Sequence, residues 1–179
     1  MRDRIQLSHG DGGKKTATLI KEVFYKHFRN ELLQNSRDAA LFPIEQRRLA
    51  FTTDSFVVRP LFFPGGDIGK LAVSGTVNDL VTAGAKPLYL SASFIIEEGF
   101  EIERLEKIAQ SMGDVCRQVG TSIVTGDTKV VEKGCADGLY INTTGIGVVK
   151  ESYEPRSLSE GDEITITGTI AEHGTTILS

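Results

Sequence analysis

Gly66-Asp67-Ile68-Gly69-Lys70-Leu71-Ala72-Val73-Ser74-Gly75-Thr76-Val77-Asn78-Asp79-Leu80-Val81-Thr82-Ala83-Gly84 is the stretch on which the fold turns. Asp67 stands where a side-chain oxygen can accept the free amides of a first helical turn. Gly84 stands where a helix can end in the left-handed conformation, so a helix is predicted over 69–83. Ser74, Gly75 and Asn78 make it small and polar for a core element. Asp79, flanked by Val77, Leu80 and Val81, is its anomaly, because a buried carboxylate without a partner is costly.

Working outward, apolar residues recur at helical spacing at Leu19, Ile20, Val23, Phe24 and Phe28, and again at Ile102, Leu105, Ile108, Ala109, Met112, Val115 and Val119. Strands are predicted at 49–53, 88–96, 121–131 and 139–149, where β-branched and apolar residues cluster between turn signals. Helices and strands interleave, which makes this an α/β chain. Residues 35–41 read as an exposed connection, and Lys133-Gly134 as a hairpin turn between the last two long strands.

At 179 residues the chain holds one well-filled domain and a remnant. The domain is expected over 1–150 and a polar linker with Pro155 over 151–161. The first strand (163–167) and loop of a second domain that stops short follow over 162–179, since a lone strand cannot bury a face by itself.

Hydrophobic residues are 40% and charged residues 25%, which fits a globular protein and argues against disorder. The 20 basic and 24 acidic residues are interspersed, with no basic block to track a phosphate backbone, so nucleic acid is not an expected partner. No apolar run approaches a membrane span and residues 1–6 do not form a secretory signal, so a cytoplasmic protein without a membrane partner is expected. Cys116 and Cys135 lack a CxxC or Cys/His pattern, and His9, His27 and His173 lack ligand spacing. A zinc site is therefore not indicated.

Three features could carry chemistry. His9-Gly10-Asp11-Gly12-Gly13 precedes the first helix, where glycines let the backbone approach a ligand and free amides favour an anion; a flexible turn explains it equally well. It is neither a Walker loop nor a dinucleotide fingerprint. Acidic residues also mark element ends: Asp54 in Thr52-Thr53-Asp54-Ser55, Asp67 in Gly65-Gly66-Asp67, Asp79 beside Asn78, and Asp127 in Gly126-Asp127-Thr128-Lys129. Each alone reads as a turn or cap residue. Together they are hard oxygen ligands of the kind magnesium takes when it bridges nucleotide phosphates, and Lys129 could face a transferring phosphoryl group. Pro60-Leu61-Phe62-Phe63-Pro64-Gly65-Gly66 could plug the core, cover a ligand or meet a neighbouring subunit.

Taken in order, these segments resemble the HypE family of hydrogenase maturation proteins within the PurM-like ATP-binding superfamily. The resemblance also runs through Glu97-Glu98-Gly99, Val124 to Val131, Tyr140 to Gly145 and Glu172-His173-Gly174-Thr175-Thr176-Ile177-Leu178, covering nearly the whole chain. It implies an α+β type of α/β fold: a PurM-like amino-terminal domain, its mixed or antiparallel sheet carrying helices on one face and its strands pairing across a homodimer barrel. It also implies ATP and Mg2+ as cofactors, and HypF and the HypC-HypD complex as maturation partners. The implied reaction is ATP-dependent dehydration of a carboxy-terminal cysteine S-carboxamide to an S-thiocyanate, the source of cyanide for [NiFe]-hydrogenase iron.

By the same resemblance Asp54, Asp79 and Asp127 would hold magnesium and Lys129 would contact phosphate. The loop from His9 through Gly10, Asp11, Gly12 and Gly13 would close over the reacting end. Asp67, Asn78, Gly126 and Thr128 would belong to the nucleotide site. The family pattern continues into a long second domain with a terminal cysteine, so this chain is expected to dimerise without turning over. Selenophosphate synthetase and thiamine-phosphate kinase share the superfamily; the former calls for a reactive Cys or selenocysteine beside a Lys near the amino terminus, absent here. A reading of a different class is a dimeric docking module that binds nucleotide weakly or not at all.

Overall fold

The computed structural model describes residues 13–19, 21, 40–45, 47–153, 156–166, 168–170 and 172–178. In chain order they form α1 (Lys14–Leu19), β1 (Ala40–Ile44), β2 (Arg47–Phe56), β3 (Phe62–Phe63), β4 (Gly66–Asp67) and α2 (Ile68–Thr82). There follow β5 (Ala85–Glu97), α3 (Ile102–Val119), β6 (Ser122–Val131), β7 (Leu139–Val149) and α4 (Glu172–Leu178). Five strands make a mixed sheet in the order β1-β2-β7-β5-β6, antiparallel except for the β5/β6 pair. The short β3/β4 hairpin leads into α2.

β7 shows why the sheet is one-sided. Its residues alternate strictly between buried and half-buried along its whole length, with Leu139, Ile141 and Thr143 turned towards the helices. α2 lies across β2, β7 and β5 and buries Ile68, Ala72, Val73, Val77 and Leu80. α3 packs on α2 and reaches β6, burying Ile108, Met112, Val115 and Cys116. Two buried hydroxyls cross this core: Thr143 Oγ1 donates to the Ala72 carbonyl at 3.1 Å and lies 2.6 Å from Thr76 Oγ1, so neither is left unsatisfied.

The ends of α2 are fixed as the local sequence requires. Asp67 Oδ1 accepts the Gly69 and Lys70 amides at 2.7 and 3.0 Å, and Gly84 adopts φ of 72°. Beyond it, Tyr153 donates its hydroxyl to the Thr82 carbonyl at 3.0 Å, satisfying one of the last free carbonyls of the helix. α3 spans the range its periodicity predicts and stops at Gly120, also left-handed.

Four expectations are corrected. The last two long strands do not form a hairpin, because β7 inserts between β2 and β5 and so is separated from β6 by β5. The loop at 132–138 instead spans the end of β5, where both carboxylate oxygens of Glu97 accept backbone amides, those of Gly134 and Gly138. Ala40 and Leu41, expected in a connection, begin β1 because they pair with Phe51 and Ala50. Residues 163–166 form no strand, since no strand among the described residues pairs with them and Ile164 is left 93% exposed. The tail after Gly168, expected as a loop, carries α4. The apolar stripe at Ile20, Val23, Phe24 and Phe28 lies outside the described residues.

Both cysteines are free. Cys116 is buried, and that burial pushes its thiol pKa up against smaller opposing effects from the Ile123 backbone hydrogen bond and the Arg117 charge; Cys135 is exposed. No helix among the described residues is long and apolar enough to cross a membrane.

The approach of α2 to α3 is set by Gly69. A methyl group there would come within 2.6 Å of the Ile108 carbonyl oxygen and 2.8 Å of Met112 Cγ. Because backbone cannot step aside as a side chain can, Gly69→Ala is expected to lower stability by about 1–3 kcal/mol. A denaturation midpoint unchanged from wild type would contradict so tight a helix crossing.

Candidate functional site

β2 and α2 bring two of the acidic residues together. Thr52 and Asp54 alternate onto the helix side of β2, opposite Gly145 and Thr143 of β7. Thr52 Oγ1 donates to Asp79 Oδ2 at 2.9 Å, which gives the carboxylate inside α2 a donor. Asp54 lies one helical turn away, over Gly75: a methyl at Gly75 would sit 3.8 Å from Asp54 Oδ2 and 2.8 Å from the Phe56 ring. The missing side chain therefore makes room for the Phe56 ring beside Asp54. Both carboxylates are half-buried.

Asp127 does not join them. Along the sheet Asp54, Thr143, Ala92 and Gly126 form one row of register partners, and Ser55, Asn142, Ser93 and Asp127 form the next. Successive rows alternate faces, so Asp127 and, two residues on, Lys129 belong to the side away from the helices. Both are exposed on the edge strand β6. Among the described residues no group of three acidic, histidine or cysteine side chains converges, so the expected trio of Asp54, Asp79 and Asp127 reduces to a pair. A pair remains sufficient for magnesium, which takes one or two carboxylates and completes its shell with phosphate and water.

The remaining expected residues divide by position. Asn78 is exposed on α2 next to Asp79. Gly126 is needed for strand pairing, since a methyl there would lie 2.1 Å from the Ala92 carbonyl oxygen; Thr128 is exposed on β6. His9, Gly10, Asp11 and Gly12 lie outside the described residues, and Gly13 is exposed just before α1, its carbonyl accepting the Ala17 amide at 3.1 Å.

Asp67 serves more than its cap. Its Oδ1 also accepts the Ser111 hydroxyl of α3 at 2.7 Å, so three donors meet on one oxygen. A cavity of about 250 Å³ opens beside it, between Phe63 and Pro64, the Lys70, Leu71 and Ser74 side of α2, and Glu172 of α4. Thr52 and Ser111 are the two partners not anticipated from the sequence. Thr52 was signalled by its two-residue spacing from Asp54. Ser111 carried no signal beyond being polar within the apolar stripe of α3.

Residues 36–149 match the family model described as AIR synthase related protein, N-terminal domain. The carbamoyl dehydratase HypE of Bradyrhizobium diazoefficiens is 52% identical over 177 residues, covering 98% of this chain and 51% of that protein. A crystal structure of a HypE-HypF complex superposes with a TM-score of 0.69 at 58% identity, covering 74% of this chain and 43% of the other. A crystal structure of HypE in complex with ATP superposes with a TM-score of 0.58 at 50% identity, covering 82% and 44%. The chain spans about half the length of the curated relatives it matches.

Proposed function

Since this chain belongs to the AIR synthase related protein family through its N-terminal domain, we propose that it is the nucleotide-gripping part of a carbamoyl dehydratase of the HypE kind, acting in hydrogenase maturation. The observation that carries this reading is the placing of Asp54 and the Thr52-bonded Asp79 one turn apart along the same side of α2, Asp54 over Gly75 and Asp79 held by Thr52. The HypE-HypF complex and the ATP-bound HypE support it as relatives whose structures name a partner and a ligand.

In this reading Asp54 and Asp79 would hold Mg2+, which would supply positive charge to the nucleotide's phosphates, with the exposed Asn78 beside Asp79 on the same helix. The protein's work is positioning and charge neutralisation, as phosphoryl transfer requires. The carboxamide oxygen of a cysteine S-carboxamide displaces ADP at the γ-phosphorus. Loss of two N–H protons then closes the C–N triple bond as the C–O bond breaks, so that oxygen leaves in phosphate and an S-thiocyanate remains. Lys129 and Asp127 stand on the other side of the sheet, and His9 lies outside the described residues; none is assigned a step. HypF is the proposed carboxamide donor partner, the HypC-HypD complex the proposed acceptor, and the cytoplasm the proposed compartment.

Calorimetry on the full chain with magnesium and ATP is expected to show binding that Asp79→Asn weakens about tenfold or more, the scale of losing a charged metal contact. An athermal wild type, or an Asp79→Asn chain that binds as well as wild type, would remove the proposal.

The sheet face away from the helices is the proposed homodimer surface. Phe51, Tyr89 and Ile95 are 45%, 53% and 44% exposed, and β6 offers an open edge whose ten residues are all exposed or half-buried. A second copy laid on this face would cover both. A charge driven into such a seam is costly, so Ile95→Asp is expected to convert the dimer to monomer in sedimentation at micromolar concentration. A variant that sediments as a dimer would place the interface elsewhere.

A further inference from the structure

We propose that Tyr153 is a positioning residue for Asp79, coupling the chain that follows β7 to the carboxylate inside α2; this rests on the nucleotide reading above. The even-numbered residues of β2 face the helices, and from Arg48 to Phe56 they form one line along the later half of α2. Arg48 donates to the Tyr153 carbonyl at 2.5 Å. Ala50 is buried in one cluster with Leu80 and Ala83, against which Tyr153 packs. Thr52 donates to Asp79, and Asp54 and Phe56 lie over Gly75. Tyr153 thus closes a row whose other members make up the proposed metal site.

Besides Arg48, the residue is held by the helix end itself. Its hydroxyl donates to the Thr82 carbonyl and its amide to the Lys150 carbonyl, each at 3.0 Å, and its ring lies on Gly84, where any side chain would overlap it. The Gly84 carbonyl in turn accepts the Lys150 amide at 3.0 Å. The turn closed in this way is Asp79's own, because the Asp79 carbonyl accepts the Ala83 amide at 3.1 Å and the Thr82 hydroxyl at 3.0 Å. A helix end stripped of such partners frays over its last turn, and fraying here would swing the Asp79 carboxylate away from Thr52. Residues 156–161 are all exposed, Leu158 at 91%. Traced back from them, Tyr153 is the first described residue packed on the core. Docked or undocked, it is the element through which a pull on that stretch reaches Asp79.

Magnesium-ATP affinity and amide hydrogen exchange are measured on the full chain, at a temperature where denaturation curves show every variant folded. Tyr153→Ala is expected to weaken magnesium-ATP by about threefold to tenfold, the scale on which residues without ligand contact modulate a site. It is also expected to speed exchange of the Ala83 and Gly84 amides, which close the last turn. Tyr153→Phe, which keeps the ring on Gly84 and loses the bond to Thr82, is expected to fall between Tyr153→Ala and wild type. Val115→Ala, which opens the other core cluster, is expected to lower stability and keep the wild-type affinity. Faster exchange in Tyr153→Ala with unchanged affinity makes Tyr153 a helix cap alone and overturns the role. An equal loss of affinity in Val115→Ala overturns it too. Should Tyr153→Ala not fold, Tyr153→Phe carries the test, and wild-type affinity there overturns the role. Each of these leaves the nucleotide reading standing, whereas a wild type that binds no magnesium-ATP removes that reading and this inference with it.

Discussion

Everything at the proposed site depends on α2 being held rigidly while one side of it stays bare. Its apolar side is pressed between the sheet and α3, where Gly69 lets the two helix backbones approach to a distance no side chain would permit. Its two ends are anchored by groups from elsewhere in the fold, Ser111 acting through Asp67 at the start and Tyr153 on the Thr82 carbonyl at the finish. A helix free to roll by one residue would carry Asp79 away from Thr52 and Gly75 from beneath Asp54. The clamps thus convert a sequence position into a spatial one.

The bare side has a cost that the sequence displays. Ser74, Gly75 and Asn78 contribute little to burial, and glycine inside a helix is destabilising by roughly 0.5–1 kcal/mol relative to alanine. Residues chosen for packing alone would be larger. Their smallness is intelligible as space for a ligand beside the helix. The other side of the sheet is bare for a different reason: it lies open along β6 and carries large apolar side chains, as a surface awaiting a second sheet does.

The sequence made α2 and α3 legible because their boundaries are local matters: an acidic cap, a left-handed glycine, a 3.6-residue stripe. It made the strands legible for the same reason, and Leu139–Val149 is the range its alternation indicates. Strand order was not legible. The insertion of β7 between β2 and β5 is a choice among non-local pairings, and Lys133-Gly134 looks the same whether the chain turns back at once or first spans a neighbouring strand. The grouping of Asp54, Asp79 and Asp127 failed on the same ground, because the face a strand residue occupies is fixed by register, and Asp127 falls one row off. Of the strand expected at 163–167, the described residues 163–166 have the right composition and pair with no described strand.

Electron paramagnetic resonance with Mn2+ replacing Mg2+ tests the two-carboxylate site most directly. The full chain is expected to immobilise one Mn2+ in the presence of ATP, to lose that signal alike in Asp54→Asn and Asp79→Asn, and to retain it in Asp127→Asn. Loss of the signal in Asp127→Asn, with either of the other two variants unaffected, would contradict the site described.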